Sequence, residues 1–197
     1  WILEETTAAG VKLDTSQVYQ FQNANSALYL EVKDASAEAG ANVQQWGANG
    51  NDCQNWTLKE FGDGYYYILS RLGDGKTYYL DVAEGKGDDG TNIQIFTNTK
   101  TSAQLFKFIP NPDGTYYIVT RASKDKGALG VAAASKEQGA NVLQWTKNGS
   151  MDQMWNITAI GAIPTPVTTT EPPVVTTEAP TETTTATPVL TTEAPTE

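Results

Sequence analysis

Three positions recur in step along this chain. Leu30, Leu80 and Leu129 are each followed twelve residues later by an asparagine (Asn42, Asn92, Asn141) and twelve later again by a glutamine (Gln54, Gln104, Gln153). Two residues past each glutamine stands a large aromatic: Trp56, Phe106 or Trp155. The periods are 50 and 49 residues, so whatever one block folds into, the chain folds into three times.

Each block carries four short runs with apolar residues two apart, the spacing that puts side chains on one face of a strand. The first runs hold Tyr19-Gln20-Phe21, Tyr67-Ile68-Leu69 and Tyr117-Ile118-Val119, and the second Leu30-Glu31-Val32, Leu80-Asp81-Val82 and Leu129-Gly130-Val131. The third begin at Asn42, Asn92 and Asn141, and the fourth at Trp56, Phe106 and Trp155. Between them fall Gly62-Asp63-Gly64, Gly73-Asp74-Gly75, Asp113-Gly114 and Asn148-Gly149, dipeptides that tolerate the positive φ of tight turns. A solenoid or propeller would also carry strands at this period, but three blades are too few to close a propeller. The pattern predicts an all-β fold, a β-trefoil of three four-stranded repeats with pseudo-threefold symmetry. It spans residues 17–160, with repeats near 17–60, 61–109 and 110–160, behind a flank at 1–16. In this reading Trp56, Phe106 and Trp155 fill the core, and the tyrosine runs 65–67, 78–79 and 116–117 alternate one ring in and one out.

Composition removes several functional classes. With 13 basic and 23 acidic residues the formal charge is −10, and five of the acids lie past residue 160. Nucleic acid and anionic membrane surfaces require concentrated Lys and Arg, so both are set aside as partners. No stretch approaches the roughly 18 apolar residues of a membrane span, so no membrane insertion is expected. Histidine is absent, which removes the usual general base, every Ser-His or Cys-His nucleophile pair and the commonest zinc ligand. No metal and no cofactor are expected. The single cysteine, Cys53, forms no intrachain disulfide and reads as a small, half-buried residue. The first residue is Trp1, as expected of a piece excised or processed from a longer chain.

After Ile160 the composition changes: 14 of the last 37 residues are Thr and seven are Pro. Proline withholds a backbone donor, while threonine and glutamate stay solvated, so residues 161–197 are expected to be a disordered linker joining this domain to a further module. Threonines beside prolines are also candidates for O-linked sugars.

The Gln-X-aromatic signature, repeated three times at a period near 50, resembles that of ricin-B-type β-trefoil lectins and of the family 13 carbohydrate-binding modules of secreted polysaccharide-degrading enzymes. The resemblance implies non-catalytic glycan binding at up to three shallow sites, an extracellular, bacterial setting and a monomeric module. It also implies where the sites lie: an acid just after the recurrent leucine, an aromatic platform ending the third strand, a polar residue three beyond it, and an Asn-Gln pair opening the fourth strand. Such a set is chemically intelligible, because a pyranose stacks its C–H face on a ring while a carboxylate accepts from adjacent hydroxyls. In the first repeat the matching residues are Glu31, Trp46, Asn49 and Gln54, with Cys53 in place of the expected Asn. The second has Asp81, Phe96, Thr99 and Gln104, with Ala103 in the Asn position. The third has Trp145, Asn148, Asp152 and Gln153, but Gly130 stands where the acid belongs. On this reading loss of the acid costs more binding than loss of a platform ring, and the third site is the weakest unless Asp152 substitutes. Galactose, xylose-based chains, arabinose and pectic sugars are all compatible ligands.

Two other classes compete. One is a protein-binding or architectural trefoil, since fold alone does not set function. The other, a glycoside hydrolase, would need two carboxylates facing each other across a cleft, and the acids here, such as Asp88 and Asp89, read as glycine-flanked turn residues.

Overall fold

A computed structural model describes residues 10–164; the first nine residues and the Thr/Pro/Glu-rich segment from Thr165 onward, with the linker expected there, lie outside the described residues. Twelve strands follow in chain order. They are β1 (Gln17–Asn23), β2 (Tyr29–Val32), β3 (Ala41–Trp46) and β4 (Trp56–Gly62) in the first repeat. The second has β5 (Tyr65–Ser70), β6 (Tyr78–Val82), β7 (Thr91–Thr97) and β8 (Phe106–Pro110). The third has β9 (Tyr116–Thr120), β10 (Gly127–Val131), β11 (Val142–Thr146) and β12 (Met154–Ala162).

The pairing divides these strands into two sets. The first and fourth strands of each repeat close a cycle, β1–β4–β5–β8–β9–β12 and back to β1, in which every pair is antiparallel. The second and third strands form three hairpins that meet through β3–β7 and β7–β11 pairs and a Gln44–Asn141 bridge. A closed barrel capped by a triangle of hairpins is the β-trefoil.

Alternation along the strands explains the closure. Phe21, Ile68, Phe108 and Ile118 from the barrel strands and Leu30, Leu80, Leu129, Val43, Ile93 and Val142 from the cap are fully buried in one cluster. Trp56, Phe106 and Trp155 lie in the same cluster, fully buried as their strand positions predict. The two indoles each donate to the recurrent leucine of their own repeat, Trp56 to the Leu30 carbonyl at 3.2 Å and Trp155 to that of Leu129 at 3.0 Å. These bonds satisfy the ring N–H that burial would otherwise strand.

The recurrent asparagines close the cap on its axis. Asn42 Nδ2 donates to Asn141 Oδ1 at 2.8 Å, Asn141 to Asn92 at 2.8 Å and Asn92 back to Asn42 at 3.0 Å. Each amide is donor to one repeat and acceptor from the other, a ring that only a threefold arrangement completes.

Two details go beyond the sequence reading. Tyr65, Tyr66 and Tyr67 are all buried: Tyr66 points into the barrel, whereas Tyr65 and Tyr67 pack outside it with Leu69, Tyr79 and Leu105 in a second small cluster. Lys107 lies over the Tyr65 ring and pairs with Asp125 at 3.1 Å, and the Tyr65 hydroxyl donates to Asp125 at 2.7 Å. The outward rings are thus covered by local partners. The flank also joins the barrel: Val11 N–H donates to the Phe108 carbonyl at 3.0 Å and Leu13 N–H to the Tyr66 hydroxyl at 3.1 Å.

Candidate functional site

Each repeat presents the same surface, made by its cap hairpin, the rim loop after the third strand and the 3₁₀ turn before the fourth. In the first repeat β2 and β3 set Glu31 opposite Gln44, and Trp46 follows two residues along on the same face. The second sets Asp81 opposite Gln94 with Phe96 beyond, and the third sets Gly130 opposite Leu143 with Trp145 beyond.

The signature glutamines hold the rim loops in place. Gln54 donates to the Gly47 carbonyl at 2.8 Å and accepts from the Asn49 N–H at 3.2 Å. Gln104 makes the same clamp on Thr97 and Thr99, both at 2.9 Å, and Gln153 on Thr146 and Asn148, both at 3.0 Å. All three are buried. Gln54 and Gln104 line neither neighbouring cleft, while Gln153 reaches the edge of its own. Their work is to fix the loop that carries Asn49, Thr99 or Asn148.

The platforms stand out from the surface, Trp46 40% and Trp145 44% exposed, and a glycine of another repeat packs against each. Gly139 (φ +82) and Gly90 (φ +81) lie so close that an added Cβ would sit 3.4 Å from Trp46 Cζ3 and 3.7 Å from Trp145 Cζ3. Their N–H groups donate to the Gln45 and Gln144 carbonyls at 2.8 Å, and the left-handed backbone that this requires favours glycine. Phe96 is smaller and half-buried, and nothing lies within 4 Å of the corresponding point on Gly40.

Around these parts lie three open clefts of 470, 540 and 340 Å³ in repeat order, within the size range of small-ligand sites. The first brings together Glu31, Trp46 and Asn49, the second Asp81, Phe96 and Thr99, and the third Trp145, Asn148 and Asp152. Sequence reading missed further wall residues. Gln44 and Gln94 face the acids, and Asp34 and Glu84 come from tight turns after the second strands, where they hold φ of +55° and +57°. The glutamines were findable, since each lies two residues before a platform and so shares its face.

The carboxylates differ in how they are held. Glu31 accepts from Gln44 at 3.1 Å, Asn49 at 2.7 Å and Gln54 at 2.8 Å, so three protein amides occupy it. Asp81 takes Gln94 at 3.0 Å, and burial pushes its carboxyl above the usual range, an effect that the Gln94 and Gln104 amides oppose. Asp152 accepts from the Ser150 hydroxyl. Cys53 is buried beside Asn49, and burial pushes its thiol up, away from the thiolate a nucleophile needs. Among the described residues no group of three or more Cys, Asp or Glu is placed to hold a metal ion.

A barrel capped by three hairpins, with a ring and polar groups at each rim, defines a β-trefoil of the lectin type. The ricin-type beta-trefoil lectin domain-like family model matches residues 1–96, 72–145 and 102–165, and the chain belongs to that family. ThreeFoil, a designed 3-fold symmetric protein, superposes with a TM-score of 0.68 at 34% identity, covering 73% of this chain and 99% of its own. 1,3Gal43A, an exo-beta-1,3-galactanase from Clostridium thermocellum, gives 0.69 at 30% identity, over 76% of this chain and 31% of the enzyme. Clotting factor G alpha subunit of Tachypleus tridentatus is 44% identical over 50 residues, 25% of this chain and 7% of that protein. The chain therefore spans less than a third of the galactanase and a small fraction of the clotting factor subunit.

Proposed function

We propose that this chain is a non-catalytic, extracellular carbohydrate-binding module that brings a tethered enzyme or anchoring module to polysaccharide. The observation that carries the reading is the second cleft. There Asp81, 4% exposed, keeps a carboxylate at the wall of a cleft that also holds an aromatic ring, with the Gln94 amide bound to it at 3.0 Å and the Gln104 amide also favouring its charged form. A buried carboxylate is costly unless its remaining acceptor positions are filled. Two vicinal sugar hydroxyls supply two donors for those positions, and Phe96 supplies the stacking surface for the C–H face.

A module repeated three times suits a polymer. A millimolar site contributes only about 4 kcal/mol, but two or three sites engaged on one chain raise avidity by roughly a hundredfold or more. The likeness to a minor part of a β-1,3-galactanase supports attachment to a glycan-degrading enzyme and makes β-1,3-linked galactose the first ligand to try. A glycan array followed by calorimetry of the intact chain and of Asp81→Ala decides the matter. Binding to one or more plant or microbial glycans, weakened in the variant, is the expected result. Silence across the array, with no saccharide-induced change in tryptophan fluorescence, would sink the reading.

A further inference from the structure

The third cleft has lost its strand acid to Gly130, yet the space is not empty of carboxylate. A Cβ built on Gly130 would lie 3.3 Å from Asp152 Oδ2 and 3.0 Å from Gln153 Cγ. The oxygen of Asp152 therefore already reaches the start of the path that an aspartate at position 130 would follow. We propose that the third cleft is a working carbohydrate site in which Asp152, carried by the 3₁₀ turn Met151–Gln153 before β12, supplies the hydroxyl-accepting carboxylate in place of the missing strand acid. The inference rests on the carbohydrate-binding reading and deepens it.

Three substitutions that go together support the exchange. Where the strand holds an acid, Glu31 or Asp81, the turn holds a residue without charge, Cys53 or Ala103; where the strand holds Gly130, the turn holds Asp152. The facing strand follows suit. Gln44 and Gln94 donate to the strand acids at 3.1 and 3.0 Å, whereas Leu143 stands opposite Gly130, where there is no carboxylate to receive a bond. A retained amide there would have lost its partner inside the wall, a cost the leucine avoids. Ser150 holds the relocated group by donating to Oδ1, and Oδ2 is the oxygen beside Gly130.

Relocation changes what the site selects. The carboxylate now enters from the turn side of the cleft, while Trp145 keeps its place at the end of the third strand. The floor beneath is Ala133, Ala134 and Leu143, where the second cleft has Glu84 and Gln94. The third cleft thus accepts a hydroxyl pair at a different position relative to the stacked ring, and its other edge suits C–H or methyl groups better than further hydroxyls. Its sugar preference differs from that of the second.

The test is a titration of the intact chain with β-1,3-galactobiose, xylobiose and lactose, followed by NMR at the Trp145 indole N–H for the third site and the Thr99 amide for the second. At least one sugar is expected to shift the Trp145 signal. Asp152→Asn, at unchanged melting temperature, should weaken that response about tenfold or more, as for a lost hydrogen bond to a charged group, and leave Thr99 alone. Gly130→Asp by itself should also weaken it, since the new carboxylate meets Asp152, and the triple variant Gly130→Asp, Leu143→Gln, Asp152→Ala should restore it with the preference of the second site. A Trp145 response that Asp152→Asn leaves within twofold, or a sugar that moves Thr99 and never Trp145, overturns this assignment while carbohydrate binding stands. No response at either reporter would overturn carbohydrate binding itself, and this assignment with it.

Discussion

The first and second clefts are built on the same strands in the same register, yet their acids are committed differently. Glu31 and Asp81 sit opposite Gln44 and Gln94 at matching positions, both nearly inaccessible to solvent. The extra methylene of Glu31 carries its carboxylate far enough to take Asn49 and Gln54 as well as Gln44. Thr99 replaces the Asn49 amide, and the Gln104 amide, counterpart of Gln54, favours the charged form of Asp81 without coming into direct hydrogen-bond distance of the shorter side chain, so Asp81 keeps more free acceptor positions. Of the roughly four acceptor positions of a carboxylate, three are filled at close range in one cleft, whereas in the other only Gln94 is at close range and Gln104 acts from farther off. The same residue class at the same site is therefore mainly structural in one repeat and mainly open to a ligand in the next.

That contrast can be broken by removing each acid in turn. Glu31→Ala takes an acceptor from the buried amides of Gln44 and Gln54 and from the exposed Asn49, and buried donors without partners cost about 1–3 kcal/mol each. Partial relaxation toward solvent leaves an expected loss of about 3 kcal/mol or more in urea unfolding, the largest effect of the series. A variant that unfolds at the parental urea concentration would show that the three amides find other partners. Asp81→Ala takes the close acceptor from Gln94, while Gln104 keeps its bond to the Thr97 carbonyl, and there the loss should fall on binding: about 1.5–3 kcal/mol by calorimetry, the range for a hydrogen bond to a charged group. Should Glu31→Ala instead reduce affinity as much as Asp81→Ala does, the first acid is as open to ligand as the second.

The axial ring of amides gives the next largest change. Asn92→Ala removes one donor and one acceptor, leaving Asn42 without its incoming bond and Asn141 without its outgoing acceptor. We expect about 1–3 kcal/mol of destabilisation. A melting temperature unchanged within error would mean that the ring is incidental to the fold.

Much of this was legible in the sequence because it repeats. The leucine, the asparagine and the Gln-X-aromatic step each appear three times in phase, and phase is what a chain needs to build three equal units. Legibility ends where a residue answers to a neighbour in space and not to its counterpart in the next repeat. Asp152 could be named from the sequence as a substitute for the acid missing at Gly130, but the sequence could not show that its oxygen lies beside that glycine, and the three amides on Glu31 were equally hidden. Tyr65 and Tyr67 point outward on either side of inward Tyr66, as the alternation expects, but their burial could not be read, since the lysine and aspartate that cover the first of them lie far along the chain. The resemblance counts the signature glutamines among the sugar contacts; in the structure all three are buried and hold the rim loops, and Gln54 and Gln104 do not line the clefts.

The smallest effect is the one that separates binding from stability at a single residue. Burial raises the Asp81 carboxyl above its ordinary value, with the Gln94 and Gln104 amides pulling the other way. For an acid whose folded pKa lies above its unfolded one, the favourable contribution is complete below the unfolded pKa and disappears as pH rises through the folded pKa. At neutral pH the ionised Asp81 therefore works against folding. Asp81→Asn keeps the shape and an acceptor for Gln94 but removes the charge, so it should be more stable than the parent near pH 7, with the difference closing as pH falls below the usual carboxylate range. Affinity should move oppositely: in the parent it declines as Asp81 takes up a proton, and in the variant it is weak throughout and insensitive to acid. Parallel urea melts and sugar titrations from pH 3 to pH 7 read both slopes. If Asp81→Asn were less stable than the parent at pH 7, the carboxylate would be supporting the fold as Glu31 does, and the contrast between the two clefts would reduce to chain length alone.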